Sequence, residues 1–181
     1  CRIYKLYKEE NIFGEKYFTI LKLLNENEWE EQEMTEQEFW RLVESSRKKE
    51  EAASYLENHL AKHSLEDIVQ FEYWFRMKMQ ASYRSDLWGA AYVVMGGCSD
   101  DSFDYFRAWL ILQGEDTFEK VVHDPEQLIH VLHEKRLNEE GVPEYEELME
   151  VGFNAFLIKE TGNDEWDDDL YDDLLAKVEQ L

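Results

Sequence analysis

Ser85-Asp86-Leu87-Trp88-Gly89-Ala90-Ala91-Tyr92-Val93-Val94-Met95-Gly96-Gly97-Cys98-Ser99-Asp100-Asp101-Ser102-Phe103-Asp104-Tyr105-Phe106-Arg107-Ala108-Trp109-Leu110-Ile111-Leu112-Gln113-Gly114 is the stretch whose reading decides the fold. Asp86 can cap an incoming helix, and Trp88, Ala91, Tyr92 and Met95 recur at helical spacing as an inward face. Gly96-Gly97 supplies the positive φ needed to leave a helix. Ser99, Asp100 and Asp101 then complement the orphan N–H groups and the positive dipole end of the next helix. Phe103, Phe106, Leu110 and Trp109 provide apolar positions along it, and Gly114 reads as its stop. The whole stretch is explained as a tight helical hairpin.

Working outward, helical signals are dense from Met34 onward. Thr35-x-x-Glu38 is a capping-box pattern, followed by Phe39, Leu42 and Val43. Ala52, Tyr55, Leu56 and Leu60 mark a second helix. Ser64 starts a third, with Leu65, Ile68, Phe71, Phe75 and Met79 as its stripe. Asp124-Pro125-Glu126-Gln127 reads as an N-cap with proline in the first helical position. A long helix is expected from about Pro143 to Glu160, with Gly162 after it, and Leu170, Leu174, Leu175 and Val178 mark the last. The expectation is an all-α domain over residues 34–181 with roughly eight helices. Residues 1–33 differ in periodicity. Apolar clusters around Asn11-Ile12-Phe13-Gly14 suggest a small β-hairpin appendage, although Tyr17, Phe18, Leu21 and Leu24 would equally share one helix face. An opening Cys1 reads as a processed or truncated start.

The 181 residues carry 19 Lys+Arg against 42 Asp+Glu, a formal charge of -23. Residues 1–100 hold 13 basic and 19 acidic side chains, and residues 101–181 hold 6 and 23, so the second part generates most of the negative field. A 14% aromatic content argues against disorder, since disordered acidic chains are aromatic-poor. Only 8 Gly and 2 Pro leave little material for the turns of an all-β fold. Phosphate-directed nucleic-acid binding needs clustered Lys and Arg, and this balance runs the other way. No apolar run is long enough to span a membrane. Cys1 and Cys98 form no disulfide framework or zinc spacing, which is consistent with a reducing, cytoplasmic setting.

The chain resembles the bacterial domain of unknown function 4240 family. The resemblance runs from about Met34 to Gly162. It rests on Thr35-Glu36-Gln37-Glu38-Phe39-Trp40, on Ser64-Leu65-Glu66-Asp67-Ile68-Val69-Gln70-Phe71-Glu72, and above all on Asp86-Leu87-Trp88, Gly96-Gly97-Cys98-Ser99-Asp100-Asp101 and Phe106-Arg107-x-Trp109-Leu110-Ile111. It implies a small helical protein and no catalytic residues. Members that open at a Met-Thr pair like Met34-Thr35 would make residues 1–33 a separate extension.

Three functional readings are open. The first is a non-enzymatic acidic module that captures a basic protein partner, of a toxin-neutralising or regulatory type, because complementary charge speeds and orients encounter. The second is an enzyme or a ligand- or metal-sensing protein built on Asp86, Asp100, Asp101 and Arg107, walled by Trp88 and Tyr92. Clustered carboxylates would suit a hard cation, or would hold the arginine in a paired network, but no spacing matches a catalytic metal motif. No cofactor is implied. His123, His130 and His133 lack a third ligand and read as surface histidines. Cys98 reads as a packing cysteine, because Asp100 and Asp101 oppose a thiolate. The acidic run 164–173 lacks the order of a calcium loop and reads as a solvated helix start. Tyr73, Trp74 and Phe75 cannot all face inward, which leaves a face near Trp74 as a third docking candidate.

Overall fold

The computed structural model describes residues 34–132, 137–138 and 141–181. Among them are nine α-helices: α1 (Glu36–Ser46), α2 (Ala52–Leu60), α3 (Leu65–Ala81), α4 (Ser85–Met95), α5 (Asp100–Leu112), α6 (Glu115–His123), α7 (Leu128–Leu132), α8 (Val151–Thr161) and α9 (Asp168–Val178). Two 3₁₀ segments, Pro125–Gln127 and Glu146–Glu150, complete the set, and no strand occurs among the described residues. The all-α expectation holds. The N-terminal hairpin expectation lies outside the described residues, as does His133.

Capping chemistry sets most boundaries. Thr35 accepts from the Glu38 N–H at 3.3 Å, and the Glu38 carboxylate accepts from the Thr35 N–H at 2.8 Å, so both arms of the capping box form. Those bonds hold the Glu38 carboxyl below its ordinary value. Ser64, Ser99 and Asp167 cap α3, α5 and α9 with a single side-chain acceptor each, taking the N–H of Asp67, Ser102 and Leu170. Gly96 closes α4 in the left-handed region at φ 72°, and its N–H and that of Gly97 both bond the Tyr92 carbonyl.

Gly114 behaves differently from the sequence expectation. It ends α5, yet it is also the N-cap of α6, a helix the sequence reading missed. Its φ of 91° lets the chain turn there, and Phe118 and Val121 then enter the core. The long helix expected from Pro143 is also shorter: Glu144 and Tyr145 lie outside any helix, Glu146–Glu150 is 3₁₀, and the α-helix proper begins at Val151.

The core is aromatic. Phe39, Trp40, Phe71, Phe103, Phe106, Phe118 and Phe156 are fully buried, and Phe39 meets Trp40 and Phe71 at 5.1 Å between ring centroids. Helix α8 packs on α2 and α3, and α9 covers both α3 and α8. Helix α5 packs on α1, α3 and the second 3₁₀ segment. The Gly96-Gly97 turn does join packed helices, since Trp88 stacks on Phe103 at 4.8 Å and donates to the Cys98 carbonyl. Helix α4 buries only Leu87 and Ala91. Tyr92, expected inward, is 57% exposed beside Val93 and Val94. The packing of α4 against α5 uses Trp88 instead. Trp74 is half-buried, its indole N–H bonded to the Met34 carbonyl at 3.0 Å.

Candidate functional site

The residues singled out around the glycine turn do not assemble into one polar site. Asp86 sits at the exposed start of α4, where its carboxylate takes two bonds from Arg84, at 3.0 and 2.6 Å, and one from the Leu87 N–H. The Arg84 hydrogen bonds hold its pKa down at about 2. Asp100 and Asp101 stand exposed in the first turn of α5, where they complement the helix dipole. Arg107 is 6% exposed and pairs with Asp104 on its own helix and with the Met79 carbonyl. Its guanidinium lies 5.0 Å over Tyr83 and 5.1 Å over Phe103. The carboxylate that pairs with Arg107 is thus Asp104, whereas Asp86 pairs with Arg84. Among the described residues no group of three or more His, Cys, Asp or Glu is placed to hold a metal ion. Burial and the nearby Glu144 charge push the Cys98 thiol up, away from nucleophilic use. His123 and His130 are exposed.

The concave site lies elsewhere. A cleft of about 570 Å³ opens between the start of α2, the face of α5 and the second 3₁₀ segment. Glu50, Glu51 and Glu57 line it from one side, and Glu144, Glu146, Glu147 and Glu150 from the other. No Lys, Arg or His is among the described residues that line it. Its apolar floor comes from Ala53, Trp109 and Leu112, with Tyr105 and Tyr145 beside them.

Local chemistry explains how these segments meet. Glu51 caps α2 without a side-chain bond, and the orphan N–H of Ala53 is taken instead by the Tyr145 hydroxyl at 3.0 Å. The Tyr145 N–H bonds the Tyr105 carbonyl at 3.1 Å. One tyrosine thus ties the α2 start and the 3₁₀ segment to α5. In a 3₁₀ turn residues three apart eclipse, so Glu147 and Glu150 stand on one side while Leu148 is buried. The Tyr105 hydroxyl donates to Glu146 at 2.9 Å, and that bond raises the phenol pKa. Asn154 donates to Glu57 at 2.9 Å. Gln113, 3% exposed, directs its Nε2 to the Trp109 carbonyl at 2.8 Å, and its Oε1 accepts no hydrogen bond from the described residues. The sequence reading missed this cleft. Its only local signal is the density of glutamate at 50–51 and 144–150.

The model of the family described as "Protein of unknown function (DUF4240)" matches residues 34–157. The chain belongs to this family. The match begins at Met34, whose side chain is buried in the helical body, and it covers every segment on which the resemblance rested. Both walls of the cleft, from Glu50 to Glu150, lie within the family domain. No curated protein matches the chain, and no solved structure does. Among the described residues no helix is long and apolar enough to cross a membrane.

Proposed function

We propose that this protein is a non-enzymatic acidic module that captures a basic protein partner, in a toxin-neutralising or regulatory role. The observation that carries the reading is the cleft, whose described lining holds seven glutamates and, among those same described residues, no Lys, Arg or His. Like charges held around one concavity repel, and that repulsion costs stability to the free protein. A cationic partner relieves it and gains from field focusing in the cleft, which raises the association rate. The excess of 17 acidic over basic residues in 101–181 adds a wider negative field to that of the cleft. The glycine turn favours no catalytic reading, since Asp86 and Arg107 are held in separate ion pairs and Asp100 and Asp101 stand exposed in the first turn of α5.

The test is to isolate partners from the source cells at low salt, purify the principal one and measure its Kd as salt rises. A basic partner whose affinity falls steeply with salt is expected. A neutral or acidic partner, or a Kd insensitive to salt, contradicts the reading.

A further inference from the structure

We infer that the cleft is the pocket for a lysine or arginine side chain presented by the partner. This rests on the basic-partner reading and gives the chemistry and the place of contact. Three features of the cleft select that occupant.

The first is the polar inventory. Ionised carboxylates only accept hydrogen bonds, and the Tyr105 hydroxyl proton is committed to Glu146. Gln113 has turned its amide nitrogen to the Trp109 carbonyl, so the end of this buried side chain left without a partner is its oxygen. Ser54 and Asn138 are the remaining polar side chains on the described lining, and against seven carboxylates a ligand that satisfies such a wall has to bring donors and positive charge.

The second is the floor. Trp109, Leu112 and Ala53 lie almost wholly buried beneath the carboxylates, and the half-buried rings of Tyr105 and Tyr145 add apolar surface beside them. A lysine or arginine stem buries its methylenes against such a surface while the charged head stays among the acceptors. An ammonium or guanidinium also gains from neighbouring aromatic rings.

The third is spacing. The carboxylates ring the cleft, and no three of them among the described residues converge as metal ligands. A compact divalent cation wants six to eight oxygens at one point. The cleft, at about 570 Å³, has the size of an organic-ligand site.

The experiment uses the full chain and four probes at matched ionic strength: a capped tripeptide with one central lysine, the same peptide acetylated on the lysine amine, spermidine, and magnesium chloride. Binding is read by calorimetry for the native protein, for Glu147→Gln/Glu150→Gln, and for Asp169→Asn/Asp172→Asn on α9, which removes the same charge away from the cleft. Melting curves confirm that each variant is folded. The lysine peptide is expected to bind saturably, and acetylation to abolish binding. The cleft variant is expected to weaken it about tenfold and the α9 variant by less than about threefold. Equal loss in both variants overturns the pocket and leaves a diffuse field, which the basic-partner reading survives. Spermidine binding more tightly than the peptide makes a free polyamine the occupant and overturns the assignment. Magnesium displacing the peptide as well as spermidine does overturns the spacing argument. A purified basic partner that binds the cleft variant normally sinks the pocket alone, whereas a partner without basic character sinks the reading beneath it.

Discussion

Arg107 pairs with Asp104, one turn before it on α5, while Asp86, across the glycine turn, pairs with Arg84. The two ion pairs differ in kind. Asp86 and Arg84 are both about half exposed, whereas Arg107 is buried between Tyr83 and Phe103. Removing Arg107 takes away one of two side-chain donors to the Met79 carbonyl, the other being the Ser82 hydroxyl, together with two ring contacts, and Arg107→Ala is expected to cost roughly 2 kcal/mol. Asp86→Asn is expected to leave the denaturation midpoint unchanged. A double-mutant cycle measured by urea unfolding should show clear coupling between Asp104 and Arg107 and none between Asp86 and Arg107. Coupling in the second pair contradicts the structure.

Glu72 on α3 is 4% exposed and lies against Gly152 on α8. Arg76 donates to its Oε1 at 2.6 Å, and its Oε2 has no partner. Burial raises its pKa above the ordinary 4.5, against the opposing pull of Arg76. Between the ordinary value and the raised one, the native state therefore holds a proton that the unfolded state has lost. That contribution to stability is present below pH 4.5 and is lost as pH rises through the raised value. Glu72→Gln should flatten this part of the stability-versus-pH curve, and an unchanged slope in that variant contradicts the assignment.

The same contact governs Gly152. A methyl group there would run into the Glu72 carboxylate. Gly152→Ala, which would gain up to about 1 kcal/mol in an open helix, is expected to destabilise instead. In a Glu72→Ala background, which removes the carboxylate but keeps a Cβ 3.2 Å away, the cost of the substitution should shrink, as melting curves of the four proteins would show.

Cleft carboxylates that repel one another work against the fold. Glu147→Gln/Glu150→Gln is expected to raise stability by a few tenths of a kcal/mol at low salt, with the gain shrinking as salt screens the repulsion. A loss of stability would mean that these acids hold the 3₁₀ segment in place.

Much of the fold was legible because caps and stops are local. Thr35 with Glu38, Ser64, Ser99, Gly96 and Gly162 each act where a few neighbouring residues say they should. Gly114 was read only as a stop, because a residue that ends one helix and caps the next looks the same in sequence as one that merely ends it. The 3₁₀ turn at 146–150 hid behind an apolar spacing that an α-helix would share. The cleft was illegible for a different reason. Its walls are brought together by the bond from the Ala53 N–H to the Tyr145 hydroxyl, between residues 92 apart in sequence, and no local pattern announces such a contact.

Residues 1–33 are expected to be separable from the helical body. The family match begins at Met34, and the Met34 side chain and carbonyl are already part of the packing against α3. A chain starting at Met34 should keep one cooperative urea transition. A broad or absent transition would show that the N-terminal residues complete the core.

The most direct measurement of the central claim is backbone and side-chain amide chemical-shift mapping of the ¹⁵N-labelled full chain, titrated with the capped lysine tripeptide. The account expects saturable shifts at Ala53, Ser54, Tyr105 and Tyr145 and at the Gln113 side-chain amide, with Asp169 and Asp172 on α9 unmoved. Shifts spread over α9 and the other acidic surfaces, with the Gln113 amide silent, would contradict it.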